Sequence, residues 1–216
     1  KPVADVNRTI KLLVDKLPER TLPPHRTNAC VIVPREIPGG VNQLNNIMRA
    51  TYILAKQANI DVRFSYALDP IPNAKLYILT GLTHNKTITK QRLDELLDKV
   101  KAGATLYLSL DSGLFRQLPE ITGVEFACRE IVNKVESVSI NDQYLPIPTQ
   151  YFYHPENIRA ESLAICENGE PVFFKYALGK GFVYLLTLPL EKHLSETPNV
   201  FSKEDTPPYH EIYREL

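Results

Sequence analysis

The turn Leu110-Asp111-Ser112-Gly113 holds the residues whose types and spacing best suit catalysis, because it directly follows an apolar, strand-like run at 105–110. A serine in such a turn can act as a nucleophile when a histidine takes its proton and a third group orients that histidine. Candidate bases follow downstream at His154, His193 and His210. Asp111 or Ser112 could equally cap the following turn while Gly113 supplies its backbone angle. The residues alone leave both roles open.

Two other pairs of polar residues follow strand-like segments. Glu191 and His193 come after the last apolar run, where a carboxylate and an imidazole could act as an acid–base pair or form a polar edge. Arg35 and Glu36 come after the first run and could line a crevice or form a salt-bridged surface loop. We predict ligand or inter-domain contacts, and no catalytic role, for six residues in all: Arg35, Glu36, Asp111, Ser112, Glu191 and His193.

The chain shows no pattern for a metal or an organic cofactor. His25, His84 and His154 have no partner at ligand spacing, so we predict no metal site. The loop at 34–40 lacks the glycine spacing that holds a dinucleotide phosphate, so we predict no cofactor. Glycoside hydrolysis needs two placed carboxylates, and the sequence offers no way to choose two among 25 acidic residues. The segment Tyr151-Phe152-Tyr153 could stack on a sugar or belong to the core.

The composition excludes several classes of partner. Lys and Arg number 25 and equal Asp and Glu at 25, so no basic excess indicates a nucleic-acid partner. No apolar run is long enough to span a membrane. Cys30, Cys128 and Cys166 are widely spaced in apolar, strand-like contexts, which predicts buried free thiols and favours a reducing compartment such as the cytoplasm.

The first half of the chain has the pattern of a parallel sheet. Apolar runs alternate with amphipathic helices in the order βαββαβ, and short crossovers of this kind give parallel strands. Strands are expected at 29–33, 61–65, 76–79 and 105–110, and helices at 41–58 and 90–102. We predict an α/β fold with a flavodoxin-like, three-layer, open and mainly parallel sheet. The turn at 110–113 then lies at the carboxyl end of a central strand, where ligands usually bind.

Strand signals in the second half predict an antiparallel β meander appended to that sheet. Asn168-Gly169 lies between two apolar segments and is the strongest short hairpin signal in the chain. Another buried strand is expected at 182–187. Shorter β segments are expected at 131–135, 137–140 and 144–147, with a turn at Asn141-Asp142.

Both ends of the chain predict contacts with other structures. An amphipathic helix at 4–17 precedes a proline-rich linker, and a short helix at 209–216 carries Ile212 and Leu216, which could dock on a partner. We divide the chain into a leading helix and linker (1–28), an α/β domain (29–190) and a tail (191–216). Since Lys1 stands where a natural start would have Met, we expect a piece of a longer polypeptide.

Structural motifs recur in a recognisable order along nearly the whole chain. The segments that carry it are Ala29–Ala58, Leu76–Leu79, Val100–Leu106, Leu178–Tyr184 and, at the two ends, Lys1–Asp5 and Pro189–Glu191. Together they resemble the class I glutamine-amidotransferase-like (trimerisation-type) domain that follows the catalytic barrel of glycoside hydrolases, such as family 42 β-galactosidases and cellulase-like relatives.

The resemblance implies that any glycosidic chemistry resides in a barrel outside this chain. Class I amidotransferases carry a cysteine nucleophile on a strained turn, served by a later histidine and glutamate, but the matching turn at 109–113 has no cysteine. The expected function is a non-catalytic accessory domain that supports oligomerisation or shapes the active-site rim. Its expected partners are the barrel of the same polypeptide and further copies in a homo-oligomer.

Two alternatives stay open. A stand-alone hydrolase of the amidotransferase superfamily would use Ser112 and requires a histidine or carboxylate within reach of that hydroxyl. A carbohydrate- or small-molecule-binding module requires a concave, aromatic-lined pocket at the carboxyl ends of the strands. The accessory domain, in contrast, predicts exposed apolar surface on the leading and tail helices.

Overall fold

One mixed sheet of nine strands organises the part of the chain that the computed structural model describes, residues 11–12, 27–37, 39–83, 87–114 and 116–216. In chain order the strands are β1 (Ala29–Val33), β2 (Val62–Tyr66), β3 (Leu76–Leu82), β4 (Thr105–Leu110), β5 (Val124–Ile140), β6 (Gln143–Ile158), β7 (Glu161–Cys166), β8 (Pro171–Leu178) and β9 (Gly181–Leu186). They lie in the sheet in the order β2-β1-β3-β4-β9-β8-β7-β5-β6. The prediction of an α/β chain with a mixed sheet is confirmed.

The parallel part of the sheet comprises β2, β1, β3, β4 and β9. β1 and β3 are buried along their whole length, as continuous apolar runs are in strands that are covered on both faces. β4 has the predicted bounds and lies between β3 and β9, so its carboxyl end is in the middle of the sheet edge. The flavodoxin-like, three-layer assignment stays a prediction.

The helices contribute to two separate apolar cores. They are α1 (Gly40–Gln57), α2 (Lys90–Lys101), α3 (Leu118–Thr122), α4 (Leu190–Glu196) and α5 (Glu211–Arg214). Buried side chains of α1, α4 and α5 belong to one core, and those of α2 and α3 belong to the other. Thr89 caps α2, because its hydroxyl accepts from the Arg92 amide. None of the described helices is long and apolar enough to cross a membrane.

The antiparallel part of the sheet is dominated by one long hairpin. The short β segments predicted at 131–147 are parts of two continuous strands of 17 and 16 residues, β5 and β6. The predicted turn at Asn141-Asp142 joins them, with positive φ angles of 49° and 60° that suit a tight hairpin. The hairpin predicted at Asn168-Gly169 is also confirmed and joins β7 to β8.

The tail helix differs from its prediction. α5 covers four residues rather than 209–216, and Ile212 is fully buried in the same core as α1. The prediction that Ile212 docks on a partner is therefore wrong, because its side chain fills the core of this chain. Leu216 packs on the same core and is only partly buried. The division of the chain at residues 28 and 190 stays a prediction.

The three cysteines differ in burial. Cys30 and Cys166 are buried free thiols, as predicted, but Cys128 is exposed, since it lies on the long hairpin beyond the core. The leading helix at 4–17 falls almost wholly outside the described residues. His25 and His84 also lie outside the described residues.

Candidate functional site

A cleft of about 450 Å³ opens at the carboxyl ends of the parallel strands. Asp111, which directly follows β4, lines one side of it together with Lys192 and His193 of α4. The long hairpin forms the opposite wall through the segments 133–135 and 148–150. The cleft therefore lies where ligands bind in open α/β sheets, and it brings together two of the six predicted residues, Asp111 and His193.

Asp111 is held by an ion pair rather than presented for chemistry. Both of its carboxylate oxygens lie 3.1 Å from the Lys192 ammonium. The side chain of Asp111 is only 9% exposed and that of Lys192 is 27% exposed, so the pair is largely shielded from water. The backbone amide of Asp111 also donates to the Leu82 carbonyl, which fixes the turn against the end of β3.

Ser112 has no base among the histidines that the structure describes. Its backbone carbonyl accepts a hydrogen bond from the Arg129 guanidinium, which stacks on the Tyr151 ring at 4.6 Å. The described histidines are engaged elsewhere: His154 with Glu130 and Glu170, His193 with Tyr209 and Thr197, and His210 with Glu211. This arrangement supports the role of a shaped turn, because nucleophilic catalysis needs a base in contact with the serine.

Glu191 lies behind the cleft and is fully buried. The hydroxyls of Tyr107 and Tyr213 each donate to its Oε1 at 2.9 Å, and Ser109 donates to Oε2 at 2.7 Å. Burial raises the pKa of the Glu191 carboxyl, and the three hydroxyl donors oppose that shift. The carboxylate thereby ties α4 to β4 and α5, which places Lys192 and His193 at the cleft.

His193 contributes an imidazole to the cleft wall. One ring nitrogen lies 3.3 Å from the Tyr209 hydroxyl and the other lies 3.3 Å from the Thr197 hydroxyl. Burial lowers the pKa of this imidazole, so the ring is neutral at neutral pH. As a neutral group it adds no charge to the cleft.

Arg35 and Glu36 lie apart from the cleft. They follow β1 and pair with each other at 3.4 Å, with side chains that are 49% and 47% exposed. Their positions suit a solvated loop, and a ligand contact by either residue stays a prediction. The Tyr151–Tyr153 segment offers little surface for stacking on a sugar, since Phe152 and Tyr153 are each 1% exposed.

Sequence reasoning missed several residues of the cleft. Lys192 stands between two predicted residues and could have been found from its place on the first turn of α4. Asn133, Thr149 and Gln150 carried no signal, because their positions depend on how far the hairpin extends across the sheet. Among the residues that the structure describes, no group of His, Cys, Asp and Glu side chains could hold a metal ion.

The fold recurs in solved structures of glycoside hydrolases. An exo-β-1,4-mannosidase from Opitutaceae bacterium strain TAV5 matches 88% of this chain with a TM-score of 0.71 at 16% identity, over 35% of its own length. A β-galactosidase from Rahnella sp. R3 matches 90% of this chain with a TM-score of 0.64 at 14% identity, over 33% of its own length. The chain thus spans about a third of these enzymes. No protein-family model and no curated protein sequence matches the chain.

The same fold also occurs as nearly a whole protein. A cytoplasmic protein from Salmonella typhimurium LT2 matches 86% of this chain with a TM-score of 0.59 at 14% identity, over 96% of its own length. At such identities the likeness shows the fold alone. The chain therefore has the fold of a domain that glycoside hydrolases contain and that can also stand alone.

Proposed function

We propose that this chain is a non-catalytic accessory domain of a glycoside hydrolase, which supports oligomerisation or shapes the rim of the active site. The observation that carries the proposal is the turn after β4, where Asp111 is locked to Lys192 and Ser112 has no described histidine as its base. Glycoside hydrolases are prominent among the solved structures of similar fold, and the chain spans only about a third of them. The amidotransferase-like ancestry of the domain is part of the same proposal.

The competing function is a stand-alone hydrolase that uses Ser112. The Salmonella protein of similar fold favours independence from a barrel, since the match covers 96% of its length. The site geometry disfavours catalysis, because a serine nucleophile needs a hydrogen-bonded base and an oriented third group. Independence and catalysis are thus separate questions, and they need separate experiments.

The attachment to a glycoside hydrolase is tested on the natural polypeptide that contains this chain. We expect a (β/α)₈ barrel with two strand-end glutamates upstream of Lys1, and glycosidase activity in the full polypeptide. Removing the segment that corresponds to residues 29–216 should lower the number of chains per assembly, measured by sedimentation equilibrium, or raise the KM for the glycoside substrate. A natural polypeptide without a barrel would contradict the proposal.

The absence of catalysis is tested on the purified chain. Nitrophenyl acetate and glutamine should be turned over no faster by the wild-type chain than by Ser112→Ala. The matched control is Ser195→Ala, since the Ser195 hydroxyl only donates to the Lys192 carbonyl within α4. Hydrolysis that disappears in Ser112→Ala and persists in Ser195→Ala would establish the alternative.

A further inference from the structure

The cleft between α4 and the long hairpin is bordered by charged groups of both signs. Two ammonium groups, Lys134 and Lys192, and two carboxylates, Asp111 and Glu196, border it. Lys134 is also paired at 2.6 Å with the buried Glu136, so its charge is compensated from behind. Lys192 is paired with Asp111, and the Glu196 carboxylate accepts from the neutral Gln43 amide. Both ammonium groups in this lining are thus compensated, so the cleft does not attract a strong anion.

Neutral hydrogen-bonding groups complete the polar part of the cleft. The Asn133 and Gln150 amides each carry donors and an acceptor, and the Thr149 hydroxyl already donates to the Tyr151 carbonyl, which leaves its oxygen free to accept. Asn133 has a φ of 47° within the bulge of β5, a conformation that costs energy for a residue with a side chain. Bulges next to binding sites commonly re-aim one side chain in this way.

An apolar groove continues from the polar cleft. Val135, Pro148 and His193 border both cavities, and the groove extends the cleft by about 320 Å³ toward Val200. Most of the groove is apolar, and two side chains of opposite charge, Lys203 and Asp205, also line it. A ligand without net charge suits this lining when it has many hydrogen-bonding groups at one end and can lie against apolar surface at the other.

We propose that the cleft binds a neutral saccharide of at least two sugar units. Vicinal hydroxyls match the paired Asp111 and Lys192, since one hydroxyl can donate to the carboxylate while its neighbour accepts from the ammonium. The carbon–hydrogen faces of a second ring match the proline and valine surface of the groove. The inference rests on the lining of the cleft, so it succeeds or fails independently of attachment to a glycoside hydrolase.

The test is a titration of the full ¹⁵N-labelled chain with neutral disaccharides, followed by backbone amide shifts. Lactose, cellobiose and mannobiose are the probes, with inorganic phosphate and glutamine as the anionic and zwitterionic comparisons. We expect at least one disaccharide to move the amides of Asn133, Gln150 and Lys192. The inference is overturned if no amide of the cleft changes its chemical shift with any disaccharide at concentrations up to about 50 mM. That concentration exceeds the Kd of even weak specific binding. The inference is equally overturned if phosphate or glutamine binds the cleft more tightly than every disaccharide.

Matched variants distinguish specific binding in the cleft from non-specific binding to the surface. Asn133→Gly removes the amide and suits the positive φ, and it should weaken disaccharide binding on the order of tenfold, the loss of one or two hydrogen bonds. Asn141→Gly, at φ 49° in the hairpin turn away from the cleft, should leave the affinity unchanged. If Asn133→Gly does not fold, Gln150→Ala against Gln143→Ala provides the same comparison on β6. Equal weakening by a variant and its control would contradict the site.

Discussion

Glu191 is the residue on which the positions of α4 and α5 depend. Glu191→Ala removes a buried side chain and leaves the hydroxyls of Tyr107, Ser109 and Tyr213 without their acceptor. We expect the free energy of unfolding to fall by about 3 kcal/mol or more, since buried unsatisfied polar groups and a cavity add their costs. Urea denaturation of both chains measures the difference. A loss of less than about 1 kcal/mol would show that the network does not hold the helices.

Glu191→Gln is the matched control. It keeps the size of the side chain but removes the ionisable carboxyl group. The amide oxygen can still accept from both tyrosines, so we expect a smaller loss than in Glu191→Ala. Because burial raises the pKa of Glu191 in the folded chain, the wild type loses stability as pH rises from about 4.5 through the raised folded pKa. The variant has no such proton, and its unfolding free energy should vary less over that pH range. If the variant and the wild type have the same dependence of unfolding free energy on pH, the raised pKa of Glu191 is contradicted.

His154 is held between two carboxylates, which link the hairpin to the turn before β8. Its ring nitrogens lie 3.0 Å from both Glu130 and Glu170. Burial lowers the pKa of His154, but the hydrogen bonds to these carboxylates outweigh it, so the folded pKa is raised above 6.5. The link thus stabilises the fold fully below pH 6.5 and is lost as pH rises through the folded pKa.

Proton titration of the histidine rings by NMR tests this link. In Glu170→Gln the pKa of His154 should fall toward 6.5, while His193 and His210, whose pKa values burial lowers, should titrate as before. The effect on stability should be small, because Glu130 and Glu170 are 59% and 36% exposed and water screens the pairs. An unmoved His154 pKa would rule out Glu170 as its partner.

At the scale of elements, the sequence predicted the parallel strands well and the hairpin poorly. β1 is short and fully apolar, and β4 is short, mostly apolar and closely follows the end of α2, so their local pattern is sufficient. β5 is mostly exposed between residues 125 and 135, so it has no apolar alternation to indicate a strand. β6 contains prolines, which normally argue against a central strand. They are tolerated because β6 lies at the edge of the sheet.

The turn between β8 and β9 depends on a close approach of two backbones. A Cβ at Gly181 would lie 2.0 Å from the Ala104 carbonyl oxygen and 2.3 Å from that of Val100. We expect Gly181→Ala to lower the unfolding free energy by about 3 kcal/mol or more, because backbone at the end of α2 must move.

Gly169→Ala provides the comparison for that glycine. Gly169 has a φ of +84° with open space around it, so alanine there pays only for its backbone conformation, about 1–2 kcal/mol. Thermal unfolding followed by circular dichroism ranks the two variants. Equal losses would show that the approach of β9 to α2 is looser than the structure indicates.

At the scale of the molecule, the cleft combines parts that are far apart in the sequence. Asp111 and Lys192 are 81 residues apart, and the hairpin wall is contributed from between them. Position relative to a strand end was enough to indicate Asp111 and His193. The burial of the Glu191 side chain behind the cleft and the position of the hairpin along the cleft depend on tertiary packing. A local sequence pattern does not predict either of them.

The tail provides the last test, because its packing decides whether the fold is complete without it. Ile212 and Tyr213 are fully buried in the core that α1 shares with the sheet. We expect Ile212→Ala to cost about 2–5 kcal/mol, and a chain that ends after Thr206 to lose its cooperative unfolding transition. Ile165→Ala on β7 is the control, since that side chain is 46% exposed and should change little. A shortened chain that melts like the full one would show that residues 207–216 only rest on the surface of a finished core.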